Sequence, residues 1–219
     1  MRRAAPPAPR RIGLLGGTFD PIHRGHVALA RAALGRFRLD RVYFLPARRP
    51  GHKAAPEAGF EDRYAMVALA LAGQARMLPL ATPAREGFTY SIDDVTWTAS
   101  RFPGARQFFL IGADAFAEIA TWKSYRALLR RVEFIIAPRT GFDLDALAAA
   151  LPRELGARAA GESLRLRVGR AHWLGEFRAP GRSTDLRRLL AERRPAARRR
   201  VPARVLEYIY RAGLYRPNR

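Results

Sequence analysis

The fold of this chain is decided by Gly16-Gly17-Thr18-Phe19-Asp20-Pro21-Ile22-His23-Arg24-Gly25-His26, near its start. A short apolar run at residues 11–16 precedes this stretch and is typical of a buried strand. A helical pattern over residues 24–37 follows it. The stretch is therefore predicted to lie where a first strand passes into a first helix. In open α/β folds, ligands bind along this carboxyl edge of the sheet.

The rest of the chain continues the alternation of strands and helices. Ser91 is the predicted N-cap of one helix, with Asp93 and Asp94 in its first turn. The pattern predicts a Rossmann-like, doubly wound parallel sheet with C-terminal helices, in one domain over residues 11–219 after a disordered leader at residues 1–10. The further strands are predicted at residues 42–46, 76–82, 106–111, 132–137 and 164–168, and the further helices at residues 60–72, 91–101, 143–151, 184–192 and 201–212.

Composition narrows the class of protein. With 219 residues, 48% of them hydrophobic, the chain can bury a substantial core without a disulfide or metal staple. It has no cysteine, which excludes a thiol nucleophile and agrees with a reducing compartment. No run of 18 apolar residues is present, and the N-terminus lacks the apolar segment of a secretory signal. We expect a soluble, cytoplasmic protein.

The net charge of +21 raises the question of a nucleic-acid partner. Of the 40 basic residues only Lys53 and Lys123 are lysines, and the arginines are spread along the whole chain, as a coding bias toward arginine would also produce. We expect the densest run, residues 193–200, to form a solvated surface loop rather than a polyanion site. The positive potential would still attract phosphorylated substrates.

The two histidines of the opening stretch carry the predicted chemistry. His23 and His26 are three residues apart, so within one helical turn they share a face, and Gly25 between them leaves space for a bulky anion. Backbone N–H groups at the glycines and the helix N-terminus favour a phosphate there. Two imidazoles at a triphosphate suit a transfer that depends on charge stabilisation. A zinc site is the rival use, but no third clustered His or Cys supports it, and we predict no metal ligands among the side chains.

These motifs resemble those of the bacterial nicotinate-nucleotide adenylyltransferases, within the HxGH nucleotidyltransferase superfamily, and the resemblance covers nearly the whole chain. Residues 16–26 are similar to the ATP-binding signature of that family. The other matching segments are Leu45-Pro46 with Pro50-Gly51-His52-Lys53, the stretch Arg85-Glu86-Gly87-Phe88-Thr89-Tyr90-Ser91-Ile92-Asp93, the strand end Ile111-Gly112-Ala113-Asp114 with Trp122, and the C-terminal Gly213-Leu214-Tyr215.

The resemblance implies transfer of an adenylyl group from ATP to nicotinate mononucleotide, a late step of NAD biosynthesis, with Mg²⁺ bound mainly through the ATP phosphates. It implies that His23 and His26 are catalytic. The implied ATP-binding residues are Gly16, Gly17, Thr18, Phe19, His23, Gly25, His26, Gly112, Asp114, Arg182, Ser183, Thr184 and Arg187. The implied mononucleotide-binding residues are Lys53, Thr89, Tyr90, Ser91 and Trp122. Arg182 departs from the family, which has Ser at the start of its Ser-Ser-Thr-x-x-Arg signature.

Two other functions remain open at this point. Pantetheine-phosphate adenylyltransferase and the cytidylyltransferases share the strand, turn and HxGH design but lack the combination of Tyr90, Trp122 and Gly-Ala-Asp. A non-catalytic nucleic-acid-binding protein is supported only by the net charge, because no RNA-binding or helix-turn-helix signature accompanies it.

Overall fold

The architecture is given by a computed structural model, which describes residues 8–48, 55–83, 90–175, 177 and 183–216. Within these residues the strands are β1 (Arg11–Gly17), β2 (Arg41–Pro46), β3 (Met77–Pro79), β4 (Arg106–Gly112), β5 (Glu133–Ala137), β6 (Arg158–Ala160), β7 (Ser163–Arg165) and β8 (Arg170–Trp173). The helices are α1 (Arg24–Arg36), α2 (Phe60–Leu71), α3 (Ser91–Arg101), α4 (Ala113–Ala117), α5 (Tyr125–Arg131), α6 (Leu144–Ala150), α7 (Ser183–Ala191), α8 (Ala196–Arg200) and α9 (Ala203–Arg211).

The strands form one sheet in the order β3-β2-β1-β4-β5-β8-β7-β6. Strands β1 to β5 and β8 are parallel, whereas β7 pairs antiparallel with both β6 and β8. The predicted doubly wound α/β fold is confirmed, although its sheet is mixed because of the antiparallel β6–β7 edge. The strand order reverses between β1 and β4, and the carboxyl ends of these two strands define the crevice in which such folds bind ligands.

Both faces of the sheet are covered by helices. Successive residues of a strand point to opposite faces, and β4 shows this clearly, because Phe108 and Leu110 join one core cluster while Phe109 and Ile111 join the other. Helices α1, α2, α7, α8 and α9 contribute to the first cluster, and α3, α4, α5 and α6 to the second. The central strands are buried on both faces, which is why they read as continuous apolar runs in the sequence.

Two predictions about the ends of the chain need correction. Residues 1–7 of the predicted leader lie outside the described residues, but Arg10 is attached to the sheet, since its N–H donates to Asp40 (2.7 Å) and its carbonyl accepts from the N–H of Arg106 (2.8 Å). The prediction of a loop at residues 193–200 is wrong for residues 196–200, which form α8. Four arginines of this run are exposed to solvent, as predicted: Arg193, Arg194, Arg198 and Arg199.

No helix in the described ranges is long and apolar enough to span a membrane.

Candidate active site

Strand β1 ends in two glycines, over which aromatic rings close. A Cβ at Gly16 would lie 3.2 Å from the ring of Phe109, and a Cβ at Gly17 would lie 3.1 Å from the ring of Phe19. Phe19 has a left-handed backbone (φ 51°) and a buried side chain. The carbonyl of Thr18 accepts a hydrogen bond from the Arg63 guanidinium at 2.7 Å. The turn is thus held by contacts with its neighbours on both sides.

The two histidines are brought together, as predicted. His23 is the N-cap of α1 with extended backbone, and His26 lies in the first turn. Their rings stack with centroids 3.7 Å apart and planes 20° apart. The N–H of His23 donates to Nδ1 of His26 at 3.2 Å, so a neutral His26 carries its proton on Nε2. Phe19 packs edge-on against the His26 ring, with centroids 5.1 Å apart, and Gly25 is buried between the histidines in the chain.

His23 is electrically unusual. Its side chain is 6% exposed, and burial, together with the positive charges of Arg139 and Arg200, lowers its pKa from 6.5 to about 4. Its Nδ1 is buried and has no hydrogen-bond partner among the described residues. A buried polar atom of this kind normally has a partner. A neutral imidazole beside two guanidinium groups, with one ring nitrogen unsatisfied, is suited to receive an anion.

The carboxyl end of β4 supplies the second half of the crevice. Gly112 is the N-cap of α4, and Asp114 is exposed in the first turn of that helix. Oδ1 of Asp114 lies 3.5 Å from Nε of Arg139, which follows β5. A Cβ at Gly112 would lie 2.5 Å from that Oδ1 and 3.2 Å from the same Nε. A side chain at position 112 would therefore force the Asp114–Arg139 pair to shift.

Sequence reasoning missed Arg139. Its side chain lowers the pKa of His23 and contacts Asp114, so it links the ends of β1 and β4. Its Nε is buried, and its N–H has no hydrogen-bond acceptor among the described residues. The available signal was a basic residue two positions beyond the predicted strand at residues 132–137, at the edge where ligands bind.

The start of α7 contacts the histidine turn. The Ser183 hydroxyl donates to the carbonyl of Pro21 at 3.4 Å, and Nη1 of Arg187 donates to the carbonyl of Asp20 at 2.9 Å. Nε of Arg187 is also bound to Glu57 at 2.6 Å, so much of this guanidinium is engaged by the protein itself. Thr184 is exposed beside them. Helix α7 begins at Ser183, one residue before the predicted start of this helix.

Residues predicted to bind the mononucleotide lie near the same edge. Trp122 packs edge-on against Phe109 (centroids 6.1 Å apart), the ring that closes over Gly16. Nζ of Lys123 lies 5.9 Å from the ring centre of the partly exposed Tyr90. The N-cap of α3 is Tyr90 rather than Ser91, because the N–H of Tyr90 donates to the Asp93 carboxylate at 2.9 Å. Three predicted site residues lie outside the described residues: Lys53, Thr89 and Arg182.

Known proteins are similar to this chain in sequence. Residues 14–189 match the cytidylyltransferase-like family. A probable nicotinate-nucleotide adenylyltransferase of Moorella thermoacetica is 38% identical over 215 residues, which cover 95% of this chain and 93% of the relative. One of Gloeobacter violaceus is 37% identical, covering 94% of this chain and 96% of the relative. The chain belongs to the nicotinate-nucleotide adenylyltransferase family. The family that the motifs resemble is thereby confirmed.

Solved structures agree on the fold of this nicotinate-nucleotide adenylyltransferase family member. The nicotinic acid mononucleotide adenylyltransferase of Plasmodium falciparum, complexed with NaAD, superimposes with a TM-score of 0.73 at 17% identity, covering 94% of this chain and 97% of that one. The same enzyme complexed with APC gives a TM-score of 0.72 at 16% identity, with the same coverage. At these identities the likeness establishes the fold.

Proposed function

We propose that this protein joins ATP and nicotinate mononucleotide to give nicotinate adenine dinucleotide and pyrophosphate, in the synthesis of NAD. The observation that carries the proposal is the stacked pair His23–His26 at the strand-order reversal. The relatives named above carry the name of this activity. We also place the reaction in the cytoplasm, with which the absence of cysteine agrees.

The ATP triphosphate would lie against the N-terminus of α1. The backbone N–H groups after β1 and the helix dipole favour a phosphate there. Nδ1 of His23 and Nε of Arg139 are both buried without hydrogen-bond partners in the described ranges. Phosphate oxygens would satisfy both, and their negative charge would raise the pKa of His23 back toward neutrality.

The transfer itself needs no covalent intermediate with the protein. A phosphate oxygen of the mononucleotide attacks the α-phosphorus of ATP, and the bond from that phosphorus to the oxygen that joins it to the β-phosphorus breaks, so that pyrophosphate leaves with this oxygen. His23 and His26 would donate hydrogen bonds to the charge that develops on the α-phosphate and the departing pyrophosphate. Trp122 and Tyr90 would receive the pyridine ring, because a planar ring packs well on aromatic side chains.

Mg²⁺ is the ion that we expect to accompany the triphosphate. In the described part of the chain, no three His, Cys, Asp or Glu side chains are grouped so as to hold a metal. The buried carboxylate of Asp20, three residues before His23, already accepts hydrogen bonds from two backbone N–H groups and a phenol. With few side-chain ligands available among these residues, the ion would be held mainly by phosphate oxygens and water. When bound, Mg²⁺ would screen the charge of the triphosphate.

The test is a comparison of phosphate acceptors. The protein is incubated with ATP and Mg²⁺ and, in separate reactions, with nicotinate mononucleotide, nicotinamide mononucleotide or phosphopantetheine, and pyrophosphate release is measured. We expect the fastest release, and a nicotinate adenine dinucleotide product, with nicotinate mononucleotide. Pyrophosphate release that occurs only with phosphopantetheine would instead indicate a pantetheine-phosphate adenylyltransferase.

A nucleic-acid-binding protein without activity gives a different result. It would release no pyrophosphate with any acceptor, and it would bind RNA regardless of sequence, with affinity that falls steeply as salt rises.

A further inference from the structure

One buried carboxylate joins four separate segments of the chain beside the histidine pair. Asp20, which is 3% exposed, lies three residues before His23. Its Oδ2 accepts the N–H of Glu57 at 2.9 Å, and its Oδ1 accepts the N–H of Ala58 at 3.2 Å. The Tyr215 hydroxyl donates to the same Oδ1 at 2.6 Å. The four segments are the turn after β1, the chain that leads into α2, the start of α7 and the end of the chain after α9.

We propose that Asp20 and Tyr215 are positioning residues of the adenylyl transfer, through which the C-terminal segment holds the histidine turn in its reactive shape. The inference rests on the proposed function, because it assigns these residues to the site described above. The two residues are 195 positions apart, and neither has a role in the mechanism so far.

Tyr215 is placed for this contact by its own segment. It follows α9 with a left-handed backbone (φ 57°), and its side chain is 7% exposed. Burial, followed by the hydrogen bond to Asp20, raises the pKa of the Tyr215 phenol above its usual range. The phenol therefore stays protonated, and remains a donor, at neutral pH.

Arg187 ties the same turn from the side of α7. Its Nη1 donates to the backbone carbonyl of Asp20 at 2.9 Å and lies 3.8 Å from the carboxylate. Both the backbone and the side chain of Asp20 are thus held. A carboxylate that accepts three hydrogen bonds beside a guanidinium has its charge satisfied, so it fits a fixed anchor better than a base or a metal ligand.

The consequence for the site is geometric. Residues 18–23 connect the β1 glycines to His23, and the only carboxylate in this turn is Asp20. Without the phenol, one hydrogen bond to a buried charge is lost and the turn is less restrained. A loss of restraint beside reacting groups lowers the rate of the chemical step, because a small misplacement is costly there.

The experiment compares Tyr215→Phe with Tyr208→Phe. Tyr208 makes a comparable tyrosine–carboxylate contact, since its hydroxyl donates to the Asp62 carboxylate at 2.7 Å and joins α9 to α2 rather than to Asp20. For each variant, kcat, the KM for nicotinate mononucleotide, the Kd for ATP and the midpoint of denaturant unfolding are measured. We expect Tyr215→Phe to lower kcat by about tenfold and to weaken ATP binding, with KM for the mononucleotide nearly unchanged. Tyr208→Phe should keep the wild-type kcat.

Two results would overturn the inference. One is a Tyr215→Phe variant with wild-type kcat and wild-type ATP affinity. The other is a loss of activity in both variants in proportion to their loss of stability, which is what a purely structural contact gives. A double variant that combines Tyr215→Phe with Asp20→Asn adds a further check. If the two residues act as one unit, the double variant should lose little more activity than Asp20→Asn alone.

The ATP affinity separates this inference from the proposed function. If the wild type does not use nicotinate mononucleotide but binds ATP, and Tyr215→Phe weakens that binding while Tyr208→Phe does not, the proposed function fails and the positioning role stands.

Discussion

The burial of neutral His23 predicts a specific dependence of stability on pH. In the unfolded chain the His23 imidazole binds a proton with a pKa near 6.5, whereas in the folded protein burial, Arg139 and Arg200 lower its pKa to about 4. Between these two pH values the unfolded state binds the proton and the folded state does not. Acidification from pH 6.5 toward pH 4 therefore favours unfolding.

The size of the effect follows from the two pKa values. Each pH unit between them is worth about 1.4 kcal/mol, so the wild type should lose about 2 kcal/mol of unfolding free energy by pH 5 and about 3 kcal/mol by pH 4 through this residue. Asp94 acts in the opposite direction. Burial raises the pKa of Asp94 to about 7, so its carboxyl group stabilises the folded protein as the pH falls.

The difference between wild type and His23→Gln isolates the histidine, because the substitution leaves Asp94 in place. Denaturant unfolding of both proteins is measured at pH 7.5 and at pH 5. We expect the wild type to lose about 2 kcal/mol more than the variant over this interval. NMR of labelled imidazoles checks the cause, since the His23 ring should stay neutral down to about pH 4. Equal losses in the two proteins would refute the argument that His23 is held neutral.

Three further predictions concern the site. His26→Ala should lower kcat for pyrophosphate release by about a hundredfold, because a single electrostatic donor is worth about 3 kcal/mol. The unfolding midpoint should stay nearly unchanged, and full activity would contradict the role of His26. Gly112→Ala should weaken ATP binding measured by calorimetry, since the new Cβ would lie 2.5 Å from Oδ1 of Asp114 and displace the Asp114–Arg139 pair. An unchanged affinity would show that this strand end does not face ATP. Trp122→Ala should raise the KM for the mononucleotide more than the KM for ATP in steady-state assays, because we place only the pyridine ring there; equal changes would count against that placement.

Much of the fold could be predicted from the sequence because the central strands are continuous apolar runs between clear helical patterns. Strands β1, β2, β4 and β5 lie at or within one residue of their predicted bounds. The missed strands β6 and β8 are only three and four residues long and begin with arginine, so no apolar run marks them. The helix α8 is a single arginine-rich turn, in which charge hides the buried Ala197 that packs it.

The site was predictable to the extent that its residues are close in sequence. His23 is the N-cap of α1 and His26 lies in its first turn, and their spacing of three residues predicted that they would lie together. Arg139 comes from a different strand, and the bond between Asp20 and Tyr215 spans almost the whole chain. Such contacts depend on how elements pack, and a local pattern carries no signal for them. The N-cap of α3 was predicted one residue too late. Tyr90 and Ser91 were both possible at that position, and the hydrogen bond from the N–H of Tyr90 to the Asp93 carboxylate favours Tyr90.

The most direct test is a crystal structure of this protein with a non-hydrolysable ATP analogue. We predict that phosphate oxygens lie within hydrogen-bonding distance, about 3 Å, of the imidazole nitrogens of His23 and His26. An analogue that binds at another place, and leaves both rings without a phosphate contact, would contradict the account.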